Sequence, residues 1–378
     1  MIGIDLRYMN PIGGIPTAGV DVFVVELLEG FIKMGKQREI KLICYPHQNG
    51  TIRNLFPEYE LLEVSSVVQQ IAGLLTGGRI RGIGTLKRMK AYNKKMEKIG
   101  FDLIWFPYGT PDSTLQLQTP SVCTVHDLIM YHEEMAKGID NGYGAMLQNS
   151  SHIITISDFV KQDIHRSFPS LDRPVTVIPN AVKVDISEQE QVAELEGRAY
   201  ILDINAYQER KNAVTLLKAY ATIADKIKQD LVFCGGWKQE GYYEKLEKMI
   251  EELGLQQRVH RFCSIPMAQR NWLLANADLF VTPSLSEGFG RTPVEAAICG
   301  IPVISSVSDS LQEATLGLVH YYQDATDEAE LATLMLQVLQ TPQKKEELEQ
   351  ISCKLQTEYA PFRMAEKYWE IFQKVMHG

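Results

Sequence analysis

The chain has 378 residues and a net charge of −9, with 45% hydrophobic and 22% charged residues. This length is large for one hydrophobic core, so we expect two domains of ordinary globular composition. The negative charge argues against nucleic acid as the main partner. No long apolar run or signal-peptide pattern is visible, and the six cysteines are scattered. We therefore expect a cytoplasmic protein with reduced cysteines.

The first half of the chain alternates strand and helix patterns. MIGIDL predicts a strand, PIGGIPTAG a loop, and VDVFVVELLEGFIKMG a helix with apolar residues at helical spacing. Further strands are predicted at EIKLICYP, DLIWFPYG, SVCTVHDL, HIITIS and VTVIPNAV. Strands that alternate with helices predict a parallel sheet wound by right-handed crossovers.

Residues 79–98 depart from the acidic average of the chain. They include eight basic residues opposed only by Glu97, and they follow the apolar segment VVQQIAGLLTGG. A solvated helix face is one interpretation, and docking on an anionic membrane surface is the other. The residues that would contact the membrane are Arg79, Arg81, Lys87, Arg88, Lys90, Lys94 and Lys95.

The polar residues 185–198 predict a linker, after which the strand–helix alternation restarts at AYILDIN. We therefore predict an α/β protein with two Rossmann-like domains that face each other across a cleft. The boundaries are residues 1–184 for the first domain and 199–360 for the second. Residues 361–378 are expected to form a helix that packs back on the first domain.

The segment VTPSLSEGFGRTPVEAAICGIPVISS predicts a strand, a loop with two glycines and a helix that ends at Gly300. Thr292 as N-cap, Pro293 in the first turn and Glu295 three residues after the cap would form a capping box. Glu287 lies in the loop, where no helix requires it. Such a loop is the usual ligand crevice of a parallel sheet, and carboxylates there can accept hydrogen bonds from sugar hydroxyls. Both roles of Glu295, capping and ligand binding, stay open.

Arg210 and Lys211 precede a predicted helix in ERKN. Cations at a helix start oppose the helix dipole by roughly 0.3–1 kcal/mol, so an ordinary surface pair is possible. They would equally form a cradle for phosphate oxygens. Gly235 and Gly236 end the next strand, where backbone can approach a ligand closely. Together these features suggest a nucleotide diphosphate that carries a hydroxylated group.

These motifs resemble the retaining glycosyltransferases of the GT-B fold, family four (glycosyl transferases group 1). ERKN, VFCGG, SEGFGRTPVEA and GIPVI follow the order of that family, and its hallmark is two glutamates separated by seven residues, as in Glu287 and Glu295. IGIDLRYM with GGI, TVHDLIMYH, IITISDFVKQDI and VIPNAV match its first half. The chain departs from the family at Asn205, where the strand usually ends in glycine.

The resemblance implies roles for individual residues. Glu287 would bind the hydroxyls of the donor sugar, Arg210 and Lys211 would neutralise the diphosphate, and Glu295 would hold the nucleotide ribose. His126 would reach the sugar near its anomeric carbon, although by itself it is better explained as a hydrogen-bonded histidine at a strand end. The remaining donor-binding positions would be Gly14, Gly235, Gly236, Ser264, Ile265, Gly288, Phe289, Gly290, Thr292, Pro293 and Val294.

The function that the resemblance implies is transfer of a hexosyl group, with retained configuration, from a nucleotide-diphosphate sugar to a saccharide or lipid-linked saccharide in surface polysaccharide or glycoconjugate biosynthesis. The chain contains no Asp-x-Asp triplet, so we expect neither a metal nor a cofactor beyond the donor substrate. The alternatives are a sugar-nucleotide epimerase of the same fold and a non-catalytic sugar-binding protein. A lipid-linked acceptor would add peripheral binding to the inner face of the cytoplasmic membrane.

Overall fold

The computed structural model describes residues 1–11, 19–64, 92–109, 117–140, 142–236 and 239–378. These residues divide into two compact units. Unit 1 comprises Met1–Ala181 and Pro361–Gly378, and unit 2 comprises Val182–Ala360. A parallel β-sheet forms the centre of each unit, so the predicted pair of Rossmann-like domains is confirmed.

Unit 1 contains a seven-stranded sheet with the order β3-β2-β1-β4-β5-β6-β7. Every strand pair is parallel, and strand β1 pairs with both β2 and β4. Its central strands are buried on both faces because helices cover the sheet. The strands are β1 Ile2–Asp5, β2 Ile40–Cys44, β3 Glu60–Glu63, β4 Leu103–Phe106, β5 Ser121–Val125, β6 His152–Thr155 and β7 Val175–Val177.

The helices of unit 1 follow its strands in the predicted alternation. Helix α5 shows the local reason for one boundary, because the Ser157 hydroxyl accepts a hydrogen bond from the Val160 backbone N–H and so caps the helix. Residues 92–99 are also helical. The labelled helices are α1 Gly19–Lys33, α2 Asn49–Leu55, α3 Ile129–Ala136, α4 Tyr143–Asn149 and α5 Asp158–Ser167.

Unit 2 contains a six-stranded parallel sheet with the order β10-β9-β8-β11-β12-β13. The strands are β8 Tyr200–Ile204, β9 Asp230–Gly235, β10 Val259–Cys263, β11 Leu279–Thr282, β12 Val303–Ser306 and β13 His320–Tyr322. The helices are α6 Ala213–Ile223, α7 Tyr242–Glu252, α8 Met267–Asn276, α9 Arg291–Ile298, α10 Leu311–Ala314, α11 Glu328–Gln340 and α12 Lys345–Glu358. One face of the sheet packs on α6 and α11 through buried residues such as Ile201, Leu216 and Met335.

The segment that follows unit 1 in the chain is attached to unit 2. The Asn271 side chain on α8 donates hydrogen bonds to the backbone oxygens of Asp185 and Glu188, at 3.0 and 3.1 Å. The two ends of unit 2 also meet, because the Val182 N–H donates to the Tyr359 oxygen at 2.9 Å. Unit 2 therefore begins and ends at one place.

The last helix, α13 (Pro361–His377), belongs to unit 1 and packs against α1. Its buried residues recur at helical spacing and include Ala365, Tyr368 and Phe372. A side chain at Gly30 of α1 would place its Cβ 2.5 Å from the Cβ of Ala365. Glycine at this position therefore permits the close approach of the two helices.

Among the helices that lie within the described residues, none is both long and apolar enough to cross a membrane.

Candidate functional site

The candidate site of unit 2 lies at the carboxyl edge of its sheet. Strand β8 is flanked by β9 on one side and β11 on the other, so the chain winds from β8 to β9 and β10 on one side and then crosses from β10 to β11 on the other side. This topological switch point is where open parallel sheets bind ligands. The turn after β8 and the loop after β11 are thereby neighbours, and they carry most of the predicted residues.

Asn212 holds the turn that carries Arg210 and Lys211. Its backbone adopts the left-handed conformation (φ 57°), which asparagine tolerates. Its side-chain amide donates to the backbone oxygens of Pro283 at 3.0 Å and Ala325 at 2.7 Å. The turn after β8 is therefore fixed directly to the loop after β11.

The predicted cations and Glu287 come together in this arrangement. Glu287 is 7% exposed, and its carboxylate accepts hydrogen bonds from Lys211 Nζ, from Arg210 Nη1 at 3.4 Å and from Ser284 Oγ at 2.8 Å. Burial alone would raise the pKa of this carboxyl, but the Lys211 and Arg210 charges and the hydrogen bonds outweigh burial and lower the pKa. Glu287 is therefore an ionised, buried hydrogen-bond acceptor.

The loop after β12 holds the backbone of Glu287, which no sequence pattern predicts. The Glu287 N–H donates to Asp309 Oδ2 at 3.1 Å, and the Ser310 hydroxyl donates to the Glu287 carbonyl at 2.9 Å. Contacts between loops that lie more than twenty residues apart have no local sequence signal. Asp309 and Ser310 therefore position Glu287 and complete the site from a third strand end.

The glycine segment between Glu287 and helix α9 is explained partly by packing. Gly290 has φ 88°, and an added Cβ would lie 2.4 Å from Leu311 Cδ2, so only glycine fits there. The Phe289 ring is buried against Tyr359 at a centroid distance of 5.3 Å. Gly288 lies between Glu287 and Phe289 and has no side chain, so at these predicted donor-binding positions only backbone atoms can face a ligand.

The predicted capping box is wrong. Helix α9 starts at Arg291 after the left-handed Gly290, which leaves Thr292, Pro293 and Val294 inside the first turn. Among the described residues, no side-chain hydrogen bond caps the start of this helix. Glycine already lets the chain enter the helix, so Thr292 is not needed as an N-cap. The predicted end of the helix is confirmed, because Gly300 follows it with φ 77°.

Glu295 is instead held by two arginines. Its carboxylate accepts a hydrogen bond from Arg270 Nη2 and another from Arg291 Nε at 2.8 Å, and the residue is 8% exposed. Burial alone would raise the pKa of Glu295, but the two guanidinium charges lower it. The contact between Arg291 and Glu295 is predictable from the sequence, since side chains four residues apart meet on one face of a helix. Arg270 lies 25 residues away on α8 and had no such signal.

The predicted nucleobase contacts lie at the neighbouring ends of β9 and β10. Ser264 is exposed, and its backbone adopts the left-handed conformation (φ 57°). Its N–H donates a hydrogen bond to the Gly235 backbone oxygen at 3.3 Å. Its hydroxyl donates to the Gly236 oxygen at 3.4 Å, and Ile265 next to it is half-buried. A Cβ at Gly235 would lie 1.9 Å from the Asn205 oxygen, so chain packing alone requires that glycine.

His126 belongs to unit 1 and follows β5. Its Nε2 lies 2.8 Å from the Pro107 carbonyl oxygen, which can only accept, so Nε2 carries the proton. The Phe23 ring contacts the imidazole at a centroid distance of 5.0 Å. Burial lowers the pKa of His126, although the Pro107 carbonyl and the Asp127 charge oppose this effect. The imidazole is therefore neutral at physiological pH.

Several predicted positions lie outside the described residues, namely Gly14, Arg79, Arg81, Lys87, Arg88 and Lys90. Of the predicted membrane contacts, Lys94 and Lys95 are described, and both are exposed. Lys95 Nζ donates to the Glu63 backbone oxygen at 2.6 Å. In the described part of the chain, no group of three or more His, Cys, Asp and Glu side chains is arranged to hold a metal ion.

Two family descriptions match the chain in succession. Residues 17–186 match "Glycosyltransferase Family 4", and residues 185–354 match "Glycosyl transferases group 1". Among curated proteins, O-antigen chain mannosyltransferase B of Escherichia coli is 28% identical over 239 residues, which is 58% of this chain and 61% of that protein. The alignments with the first three curated relatives span 45–61% of the relatives' own lengths.

Solved structures share the fold over nearly the whole chain. A glycosyltransferase from Rickettsia africae superposes with a TM-score of 0.74 at 16% identity and covers 100% of this chain and 98% of its own. Anabaena HepE in complex with UDP and glucose has a TM-score of 0.70 at 15% identity, with 98% and 99% coverage. At such identities the likeness concerns the fold alone, and it confirms the predicted GT-B class.

The arginine pair around Glu295 gives a prediction. Arg270→Ala leaves the buried carboxylate with one guanidinium partner and should lower the free energy of unfolding by on the order of 3 kcal/mol at pH 7. The lowered pKa of Glu295 means that its stabilising contribution is present above its unfolded pKa and is lost as pH falls. The deficit of the variant should therefore shrink towards pH 4, as measured by urea unfolding.

Arg261→Ala is the matched control, because Arg261 pairs with the exposed Glu247 at 3.3 Å. The decrease in the free energy of unfolding of this variant should stay within about 1 kcal/mol. Equal, pH-independent decreases in the free energy of unfolding of both variants would contradict the pairing of Arg270 with an ionised Glu295.

Proposed function

Because residues 17–354 match the family 4 and group 1 glycosyltransferases in succession, we propose that this protein is a retaining, metal-independent glycosyltransferase. It moves a hexosyl group from a nucleotide-diphosphate sugar to a saccharide or lipid-linked saccharide acceptor. The single observation that carries the assignment is the cluster of Glu287, Lys211 and Arg210 at the switch point of unit 2.

Cleavage of a sugar nucleotide requires stabilisation of the departing diphosphate. Lys211 and Arg210 supply two positive charges, and the first turn of α9 adds backbone N–H groups that lack partners within the helix. Both cations retain some exposure, with 13% of the Lys211 and 33% of the Arg210 side chain accessible. This set performs the electrostatic role that a metal ion performs in other transferases.

Glu287 and Glu295 act as hydrogen-bond acceptors for hydroxyl groups. An ionised carboxylate has about four lone-pair sites, so partners already in place leave capacity for a ligand. We assign Glu287 to the donor sugar and Glu295, oriented by Arg270 and Arg291, to the nucleotide ribose. Because their pKa values are lowered, both remain acceptors at neutral pH.

Retention of configuration follows a front-face substitution through an oxocarbenium-like state. Glu287 is engaged by two cations and is thereby a poor nucleophile, which disfavours a covalent glycosyl-enzyme. Neutral His126 positions the sugar near its anomeric carbon and adds no positive charge to those of Lys211 and Arg210.

The named relatives support the substrate classes. E. coli O-antigen chain mannosyltransferase B is named for a polysaccharide product, and the HepE structure contains UDP and glucose. We infer a nucleotide sugar as donor and a growing surface glycan or glycoconjugate as acceptor.

The first test measures acceptor-dependent release of nucleoside diphosphate. Lys211→Ala and Glu287→Ala each remove charged hydrogen bonds worth about 1.5–3 kcal/mol, so kcat/KM should fall roughly ten- to hundredfold. The control is Lys248→Ala, since Lys248 is exposed on α7 and pairs across one helix turn with the exposed Glu252. Near-normal transfer by a folded Lys211→Ala or Glu287→Ala protein would contradict the site. Donor turnover without an acceptor would favour the epimerase.

The second test concerns metal and stereochemistry. Transfer should survive excess EDTA, because Arg210 and Lys211 stabilise the leaving group, and NMR of the product should show the anomeric configuration of the donor. Loss of activity that returns on addition of Mg²⁺ or Mn²⁺ would contradict the leaving-group argument. An inverted product would contradict the front-face mechanism.

The third test concerns the membrane. We propose that residues 79–98 hold the protein on the anionic cytoplasmic membrane surface, where each Lys or Arg contributes roughly 1 kcal/mol. The protein should pellet with anionic vesicles at low salt and be released as salt screens the charges. A variant with Lys87, Arg88, Lys94 and Lys95 changed to Ser should stay in the supernatant. Failure of the unmodified protein to pellet would refute the idea.

A further inference from the structure

Asp203 is a buried acid that the proposed mechanism does not use. It is the fourth residue of β8, is 3% exposed and pairs in register with Phe233 of β9. The side chains of Ile201, two positions earlier, and Phe233 belong to the apolar core of unit 2. Its carboxylate accepts a hydrogen bond from the Asn205 amide at 2.5 Å. A carboxyl group in such a core requires an explanation.

The uncharged groups around Asp203 come from three elements. Cys234 of β9, Tyr242 of α7 and Tyr322 of β13 all interact electrostatically with it. Burial raises the pKa of Cys234 and of Tyr242 to about 12 and that of Tyr322 above its ordinary value. None of them carries charge at neutral pH. The fully buried Tyr322 hydroxyl has no hydrogen-bond partner among the residues that the structure describes, and in particular it does not hydrogen-bond to the Asp203 carboxylate.

The charged groups that act on Asp203 are Lys211 and Glu287. Lys211 donates its hydrogen bond to Glu287 while its charge also attracts Asp203. Two buried carboxylates thus share one ammonium group, and Glu287 has the direct contact. The Glu287 charge opposes ionisation of Asp203.

The two carboxyl groups consequently titrate in different ranges. Burial raises the pKa of Asp203 to about 7, against the lowering effects of Asn205 and Lys211 and with a further raising effect from Glu287. The pKa of Glu287 is lowered, because its hydrogen-bonded cations outweigh burial. Near neutral pH, Asp203 is therefore the group of this cluster whose charge can change.

We propose that Asp203 is a positioning residue for Lys211, and that it takes up a proton when the diphosphate of the donor binds beside Lys211. The inference rests on the proposed function, which places the diphosphate there. The negative charges of the diphosphate oppose an ionised Asp203, so donor binding and protonation favour each other. Protonated Asp203 no longer attracts the ammonium group electrostatically, and Lys211 then interacts with Glu287 and the phosphate oxygens.

Isothermal titration calorimetry tests this coupling. UDP-glucose and GDP-mannose are suitable probes because their diphosphates, esterified at both ends, do not titrate near pH 7. Binding at pH 7 in buffers of different ionisation enthalpy should reveal uptake of up to about half a proton by the unmodified protein. Its affinity should fall by up to about tenfold per pH unit above pH 7. Asp203→Asn should show neither effect and should match the unmodified protein at pH 6.

Two further variants separate charge coupling from a structural role. Asp278→Asn is the matched control, because Asp278 precedes β11 at the opposite edge of the sheet and accepts a hydrogen bond from Gln229. It should retain normal proton uptake. Asn205→Ala removes a hydrogen bond that favours ionised Asp203, so the pH midpoint of donor affinity should move upward. This variant tests the proposal even where Asp203→Asn fails to fold.

The outcomes distinguish the two levels of the proposal. Failure of both nucleotide sugars to bind the unmodified protein would overturn the proposed function together with this inference. Binding with equal proton uptake in the unmodified protein and in Asp203→Asn would overturn the inference alone. An unmoved pH midpoint in Asn205→Ala would do the same.

Discussion

The charge pairing of buried carboxylates is the constraint on which the site of unit 2 depends. A carboxylate in a core is stable only when cations and hydrogen-bond donors replace the water that it has lost. Glu287 and Glu295 satisfy this condition with two cations each. These cations come from the turn after β8, from α8 and from α9. The paired charges therefore tie separate crossover segments together at one edge of the sheet.

The opposite edge of the same sheet provides a comparison. Asp230, at the start of β9, is also buried, and it accepts hydrogen bonds from Arg198 at 2.7 Å, Arg258 at 2.6 Å and His260 at 2.9 Å. This network lies at the amino ends of the strands, where open parallel sheets do not bind ligands, and its role is structural. At the carboxyl edge, Asp203 is a buried acid without such a set of direct cationic partners in the described part of the chain. Asp203 thus lies at the edge of the sheet where a bound diphosphate would add negative charge.

The sequence predicted the site residues that lie close together in the chain or share a known motif. The strand–helix alternation, the end of α9 at Gly300 and the grouping of Glu287 with Arg210 and Lys211 all follow from local pattern and strand order. Arg270 and Asp309 were missed, because each acts across more than twenty residues without a periodic signal. The capping box failed for a different reason. Thr292, Pro293 and Glu295 have the spacing of a capping box, but the helix starts earlier, after the left-handed Gly290. In addition, two arginines are stronger hydrogen-bond partners for Glu295 than a backbone N–H.

Helix α13 has a consequence for the way in which the chain folds. Its contacts with α1 join segments separated by more than 300 residues, and closing so long a loop is slow and entropically unfavourable. Unit 2 occupies most of that loop, and its ends are hydrogen-bonded through Val182 and Tyr359. Once unit 2 has folded and its ends have met, the loop that remains to be closed is shorter by the length of unit 2 and consists of residues 34–181. Prior folding of unit 2 therefore lowers the entropic cost of docking α13 on α1, although the two units have separate cores.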